Sequence, residues 1–274
     1  MTVNLAYLYL LSPLHTGGTS QEGNLVGIAR ESHTELPYLP SSTIRGRLRA
    51  ATSQDQRTKL WGNTIEDVTS GSDENLKQGT LWVGDGAIIW FPVPSLSHGV
   101  VWVTCPFLLK RWLRFIDPKP TVFPDIGSFS TGNQANLYLR DAIFKKEKLK
   151  PWSEWSQFIP NGSDETNIMT QLLVLSNQNC RVLIESSLWR QVKVRLDETK
   201  TVQGGFRYEE AIPPETLMYF PWSTTAAVNG NGRETKESSD FKQLMSKQSL
   251  LQLGGQESLG RGFVRQWLSE QQEQ

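Results

Sequence analysis

The sequence predicts a mixed α+β fold in one elaborated domain. Two observations predict it. Apolar runs alternating every second residue open and close the chain, and separate stretches between them carry helical spacing. A third concerns size: 274 residues, 38% hydrophobic and with ten tryptophans, can bury a sizeable core and do not read as a disordered chain.

The elements follow in order. Residues 3–11 form a strand, with Leu5, Tyr7, Tyr9 and Leu11 on one side and Ala6, Leu8 and Leu10 on the other. Both sides are largely apolar, which predicts a central strand. A glycine-rich loop, "HTGGTSQEGN", follows. In "LPYLPSSTIRGRLRAATSQ", Ser41 and Ser42 are candidate helix caps, and Ile44, Leu48 and Ala51 make one apolar helical face. Residues 62–79 are polar and rich in glycine and serine, and read as the exposed part of an insertion at about 53–79. "TLWVGDGAIIWFPV" reads as a strand or a bent hairpin, "GVVWVTCP" as another strand, and "FLLKRWLRFI" has helical spacing. Residues 117–165 carry five prolines and little periodicity, which predicts a second irregular insertion projecting from the core. "IMTQLLVLS" and "RVLIESSLWRQVKVRL" resume order. "VKVRLDETKTVQGGFRYEEAIPPETLMYF" reads as a long β-hairpin with a polar tip at Asp197 to Lys200. Residues 229–240 read as a solvated loop, "SDFKQLMSKQSLLQLG" as a helix feeding a strand, and "GFVRQWLSE" as the last strand before a frayed tail. There is no internal repeat. Strand-loop-helix at the start and helix-strand-loop-strand at the end suit a ferredoxin-like core.

Composition narrows the function classes. Lys+Arg and Asp+Glu both number 28, so any site for a polyanion must be a local patch. Two cysteines, Cys105 and Cys180, make neither a disulfide framework nor a CxxC metal pattern, which fits a reducing cytoplasm. No basic residue precedes the first apolar run, and no run approaches the ~20 residues a membrane-spanning helix needs.

Four constellations carry candidate chemistry. In "SSTIRGRLR", Arg45 and Arg49 lie one helical turn apart, close to a helix start whose N–H groups and dipole favour phosphate. On composition alone the commoner reading is a solvated basic face. "LGGQESLGRGF" places Gly254, Gly255 and Arg261 in a loop that reads as a strand connection or as a bare-backbone cradle for an anion. It is neither a Walker A loop nor the dinucleotide pattern, and alone it reads better as a strand connection. His15 follows a strand and precedes glycines; the three histidines share no metal-ligand spacing, so no metal site is expected. On the hairpin, Lys193, Arg195, Lys200 and Arg207 mix with Phe206 and Tyr208, a combination that suits single-stranded nucleic acid. Alternatively it is a surface hairpin balanced by Asp197, Glu198, Glu209 and Glu210.

"PLHTGG", "IARESHTELPYLPSSTIRGRLR", "LWG", "FPVPSLSHGVVWVTCP" and "LGGQESLGRGFV" occur in this order over nearly the whole chain. The set resembles the RAMP superfamily of CRISPR proteins, and within it the repeated backbone subunit of the type III-B (Cmr) effector complex. "PVPSL…GVVWVTCP" and "RYEEAIPPETLMY" favour that subunit over its type III-A counterpart. The resemblance implies a single domain over 1–274 with an RRM-like (ferredoxin-like) palm and a protruding β-hairpin thumb at about 190–215, carrying Lys193, Arg195, Phe206 and Tyr208. Several copies would stack along a guide RNA and read its backbone. By match, His15, Ser41, Ser42, Thr43, Arg45, Arg49, Gly254, Gly255 and Arg261 would face that RNA. The implied partners are guide RNA, complementary target RNA, copies of the chain and other type III-B subunits, in antiviral defence and with no membrane.

One position departs from the family pattern. Cleaving members use an aspartate in the first loop, six residues before the glutamate of "IARE", to assist attack by a ribose 2′-hydroxyl on the adjacent phosphate with a divalent metal. Counting back from Glu31 gives Leu25, beside Asn24, and neither supplies a carboxylate. Glu22 and Glu210 are the substitutes in reach of the argument. The expectation is a binding scaffold with absent or slow cleavage and no intrinsic cofactor, a metal entering only with cleavage. The alternative is the target-cleaving endoribonuclease of the same complex. A nucleotide-phosphate-binding enzyme built on the glycine loop ranks last, because no paired catalytic residues support it.

Overall fold

The two-sided apolar pattern of the first strand fixes the architecture. In the computed structural model, which describes residues 3–18, 21–22, 24–65, 69, 75–225 and 235–269, β1 (Asn4–Leu10) lies between β14 (Leu217–Thr224) and β16 (Phe263–Leu268), antiparallel to both. Leu5, Tyr7 and Tyr9 enter one apolar core and Ala6, Leu8 and Leu10 the other, so both faces of the sheet are covered. The strand stops at Leu10; Leu11 is exposed.

The sheet continues from β14 to β5 (Ala87–Ser95), β6 (Gly99–Thr104), β11 (Leu172–Val174), β7 (Ser128–Phe129) and β10 (Lys150–Pro151). On the other side β16 pairs with β15 (Leu250–Gln252), and β4 (Leu81–Val83) pairs with β14. The fold is therefore mixed α+β around one large sheet.

Helices cover the face of Ala6, Leu8 and Leu10. α1 (Ser41–Ala51) contributes Ile44 and Leu48, and α2 (Gln54–Trp61) contributes Leu60 and Trp61. α4 (Asn177–Ser186) and α5 (Lys236–Lys247) add Ile184 and Phe241. α3 (Pro106–Trp112) sits at the boundary, sending Leu108 to one core and Leu109 and Trp112 to the other; its proline occupies the first turn, where no N–H is missed.

Three expectations change. Residues 54–61 are a packed helix, so the first insertion begins only after Trp61. The 117–165 segment does not simply project: Trp152 and Phe158 close the core of Leu5, Tyr7 and Tyr9, and β7 and β10 extend the sheet. Its aromatic side chains do the covering that helices do on the other face, which explains why it lacks periodicity. Of 229–240, residues 235–240 are the cap and first turns of α5, while 229–234 lie outside the described residues, as does the 270–274 tail.

The predicted hairpin is present as β12 (Trp189–Leu196) and β13 (Val202–Ala211), joined to β3 (Leu25–Val26) and β2 (Gln21–Glu22) in a separate four-stranded sheet. Asp197 closes the tip, its Oδ1 accepting the N–H groups of Thr199 at 2.9 Å and Thr201 at 2.8 Å.

Candidate functional site

The C-terminal end of β1, the base of the hairpin and the glycine loop converge. Leu14 exchanges backbone hydrogen bonds with Ile212, both at 2.9 Å, just past β13. The next residue, His15, accepts from the Gly255 N–H at 2.9 Å through its carbonyl, while its Nδ1 lies 2.9 Å from the Glu210 carbonyl. His15, Gly255 and the hairpin base are thus stitched together by residues 195 positions apart.

The glycines serve this stitching. Gly254 has φ +76, and a Cβ there would overlap the His15 carbonyl oxygen; Gly262, also at φ +76, would overlap the Leu253 carbonyl. The close approach the sequence suggested is therefore made at least in part by the chain to itself. Gln252, which sequence reasoning passed over, fastens the loop: its Nε2 donates to the carbonyls of Leu253, Gly254 and Arg261 at 3.3, 3.3 and 3.2 Å.

Arg261 leaves the loop and crosses to the hairpin. Its guanidinium lies 4.3 Å from the Trp189 ring centroid and donates to Gln191 Oε1 at 2.9 Å. Its second partner is Glu209, which is fully buried and forms the centre of a cationic cluster. Lys193 Nζ lies 2.7 Å away, an Arg207 nitrogen 2.8 Å and an Arg261 nitrogen 3.3 Å. Burial pushes the Glu209 carboxyl up, but Lys193, Gln256 and Arg207 outweigh it and hold the group below the ordinary carboxylate range. Glu210, equally buried, takes Arg30 at 3.0 Å and Arg190 at 2.9 Å, and both arginines also reach Glu185 at the end of α4. The sequence offers Glu209 as a balancing charge and Glu210 as that or as a substitute catalytic carboxylate; their spacing in "RYEEA" places both at the hairpin base, one residue apart and so on opposite faces.

Those two faces differ in chemistry. Cross-strand partners share a face, so Val192 with Tyr208, Val194 with Phe206, and Leu196 with Val202 form one apolar side. All six are 42–59% exposed, and the Phe206 and Tyr208 rings meet edge-on at 5.5 Å. Lys193 and Arg207 pair on the opposite side. Arg195 is exposed. Lys193 and Arg207 thus face away from Phe206 and Tyr208, while Arg190 shares the face of Tyr208 and Trp189 that of Lys193.

The arginine helix differs most from expectation. Neither serine caps it: Pro40 occupies the cap position, and Asp85 Oδ1 accepts the Ser41 N–H at 2.7 Å from 44 residues away. A carboxylate of the chain itself already stands at the helix N-terminus, where an anion was expected. The Thr43 N–H bonds the Pro40 carbonyl at 2.9 Å, and Ser42 is exposed. Arg45 donates to the Trp61 carbonyl and Arg49 to the Gly62 carbonyl, so each spends a donor on the C-terminal end of α2.

The first loop is held as a strand on the hairpin. Asn24 accepts the Tyr208 N–H through its carbonyl at 2.8 Å, and Leu25 and Val26 pair with Tyr208 and Glu209. The Glu22 side chain lies outside the described residues. The neighbouring carboxylates do not fit a divalent metal. Glu209 and Glu210 are each turned onto at least two cationic side chains, whose charge opposes a second cation. Among the described residues no group of three or more His, Cys, Asp or Glu side chains could hold a metal ion, and no helix is long and apolar enough to cross a membrane.

Comparison with known proteins places this geometry in a wider set. The model of the RAMP superfamily matches residues 7–265. The CRISPR system Cmr endoribonuclease Cmr4 of Pyrococcus furiosus is 26% identical over 296 residues, an alignment covering 98% of this chain and 97% of that protein. A crystal structure of oligomeric Cmr4 from Pyrococcus furiosus superposes over 100% of both chains with a TM-score of 0.72 at 22% identity. A chain in the cryo-EM structure of the type III-B Cmr-beta complex bound to cognate target RNA gives the same TM-score and identity, over 98% of this chain and 97% of that one.

Proposed function

This chain belongs to the RAMP superfamily, and on that premise we propose that it is a guide-RNA-binding backbone subunit of a type III-B CRISPR effector complex, stacked in several copies along the guide in antiviral defence. Nearly the whole length of the chain aligns with a Cmr4 protein, and its fold matches a subunit of a complex bound to target RNA. The large sheet acts as an RRM-like palm and the β12–β13 hairpin as its thumb.

The observation that carries the reading is the convergence of His15, the glycine loop and the hairpin base. Lys193, Arg207 and Arg261 gather there around one carboxylate, in a chain whose formal net charge is zero. Three cations against Glu209 leave a local positive excess where RNA phosphates can dock, and the bonds that fix these side chains preorganise them for a backbone of fixed spacing. The apolar face of the thumb, ending in Phe206 and Tyr208, offers ring surfaces to an unstacked base. Phosphates carry the same charge whatever the sequence, so the recognition proposed is of backbone and shape.

Cleavage is a separate matter. Leu25 and Asn24 stand where a carboxylate is expected, and both oxygens of the Glu210 carboxylate are taken by Arg30 and Arg190. The subunit therefore binds and positions target RNA and cuts it slowly or not at all. The test is equilibrium binding of unrelated single-stranded RNAs of equal length across a salt series. Equal affinities with one common negative slope are expected; affinities that follow sequence would overturn backbone recognition.

A further inference from the structure

β5 and β1 both run antiparallel to β14, so their C-terminal ends, Ser95 and Leu10, point to the same end of the sheet. That is the end carrying His15 and the glycine loop. Trp90 pairs with Leu217 at the start of β14; beyond it, Phe91 to Ser95 pair with β6. At about 3.4 Å per residue this overhang extends roughly 17 Å.

A small two-stranded sheet, β8 (Leu137–Tyr138) and β9 (Ile143–Phe144), is laid on the overhang. The Leu96 N–H donates to the Tyr138 carbonyl and the Arg140 N–H to the Pro94 carbonyl, each at 2.9 Å. Leu137 and Phe144 turn inward, while their neighbours Tyr138 and Ile143 form a cross-strand pair facing out, 40% and 66% exposed. Leu96 beside them is 89% exposed.

Charge surrounds this apolar tip. Residues 140–150 hold five cationic side chains and two anionic ones. Arg140 faces Asp141 at 4.0 Å and Lys150 pairs with Asp125 at 2.7 Å. Lys145, Lys146 and Lys148 are exposed, and among the described residues they have no ion-pair partner; Glu147 between them is exposed as well. The lysines are also ordered relative to the ring. Asn136 donates to the Tyr138 hydroxyl at 3.3 Å and accepts the Lys146 N–H at 2.9 Å, and the Lys148 N–H bonds the Lys145 carbonyl at 2.8 Å, which puts Lys145 and Lys148 on one side of a tight turn.

We propose that this overhang is a second contact for single-stranded RNA, apart from the convergence at His15. Lys145, Lys146 and Lys148 pair with backbone phosphates there, and the Tyr138 ring stacks on a base. Unpaired ammonium groups beside a fixed, half-exposed aromatic are what a sequence-tolerant strand site requires. Three exposed apolar side chains fall far short of the ~800 Å² per partner that a stable protein interface buries, whereas an RNA strand needs only a narrow ledge. The position at the same end of the sheet lets RNA bound at the His15 convergence run onto it. The proposal rests on the RNA-binding reading above.

The test uses the full chain with a labelled single-stranded RNA long enough to span both sites, comparing wild type with Lys145→Glu/Lys146→Glu/Lys148→Glu and with Tyr138→Ala. All are surface changes, and melting temperature monitors the fold. The triple variant is expected to bind weakly at low salt, with the log–log salt slope flattened by about 2, as three lost phosphate contacts on a single strand require. Tyr138→Ala is expected to lose affinity with the slope unchanged. A wild type that binds RNA and a triple variant that matches it in affinity and slope would sink this contact alone. A wild type that binds no RNA would sink the reading of the whole protein with it. A triple variant that keeps full RNA affinity but loses self-association would assign the overhang to a second copy of the chain and overturn the proposal.

Discussion

Replacing Glu209 by glutamine tests whether the hairpin base is organised as described. The substitution keeps the shape and removes the charge that Lys193, Arg207 and Arg261 share. Taking one partner from a buried ion pair costs roughly 3–5 kcal/mol, because the remaining charge is stranded. Here the figure must be discounted. The Arg207 side chain is 59% exposed and Lys193 27%, so water takes up part of their charge, while Arg261 at 5% stays buried against Trp189. A net loss of about 2–3 kcal/mol remains. At about 2–4 °C per kcal/mol for a chain of this size, the melting temperature should fall by roughly 4–12 °C. The assay is a thermal melt at neutral pH, run beside RNA binding at low salt. With the carboxylate gone, the three cations are uncompensated and RNA affinity should rise or hold. A drop of under about 2 °C would refute the reasoning, since Glu209 would then not be carrying the cluster.

Further outcomes follow from the same geometry. Because Glu209 is held below the ordinary carboxylate range, its contribution is present above that range and is lost as pH falls through its lowered folded value. Wild-type melting temperature should therefore fall more steeply than that of Glu209→Gln in acid below about pH 4; parallel curves would remove Glu209 from the account. Arg45→Ala with Arg49→Ala breaks two charge-assisted bonds to the Trp61 and Gly62 carbonyls, at a cost of about 2–4 kcal/mol in a partly solvated setting. If those arginines also meet the guide, RNA binding weakens equally on all sequences, and a sequence-selective loss would contradict backbone recognition. An assembled complex with guide, complementary RNA and a divalent metal should leave the target intact or cut it slowly. Regularly spaced cuts abolished by Glu22→Ala would restore the nuclease.

Where one local signal sufficed, the sequence already carried the structure. The two apolar faces of Leu5–Leu10 needed only alternation to predict a central strand covered on both sides, and the structure has one. The hairpin needed alternation on either side of a polar tip at Asp197, and it is present. Long-range pairings were not legible. Ser41 and Ser42 have the chemistry of helix caps, but Asp85, 44 residues on, takes the Ser41 N–H, and no local rule anticipates it. The 117–165 segment lacks periodicity because Trp152 and Phe158 meet the core from irregular chain, so its packing role left no pattern to read. Of the candidate site, His15 and Arg261 do meet the hairpin and Gly255 meets His15, but Glu209 at the centre was visible only as one of several balancing charges. A carboxylate becomes a hub only when the fold brings three cations from two segments onto it.

The central claim, that copies of this chain stack along a guide RNA, is tested most directly by native mass spectrometry of the chain with single-stranded RNAs of increasing length. The number of bound copies should rise in regular steps as the RNA lengthens, independent of sequence. One copy at every length, or none, would contradict it.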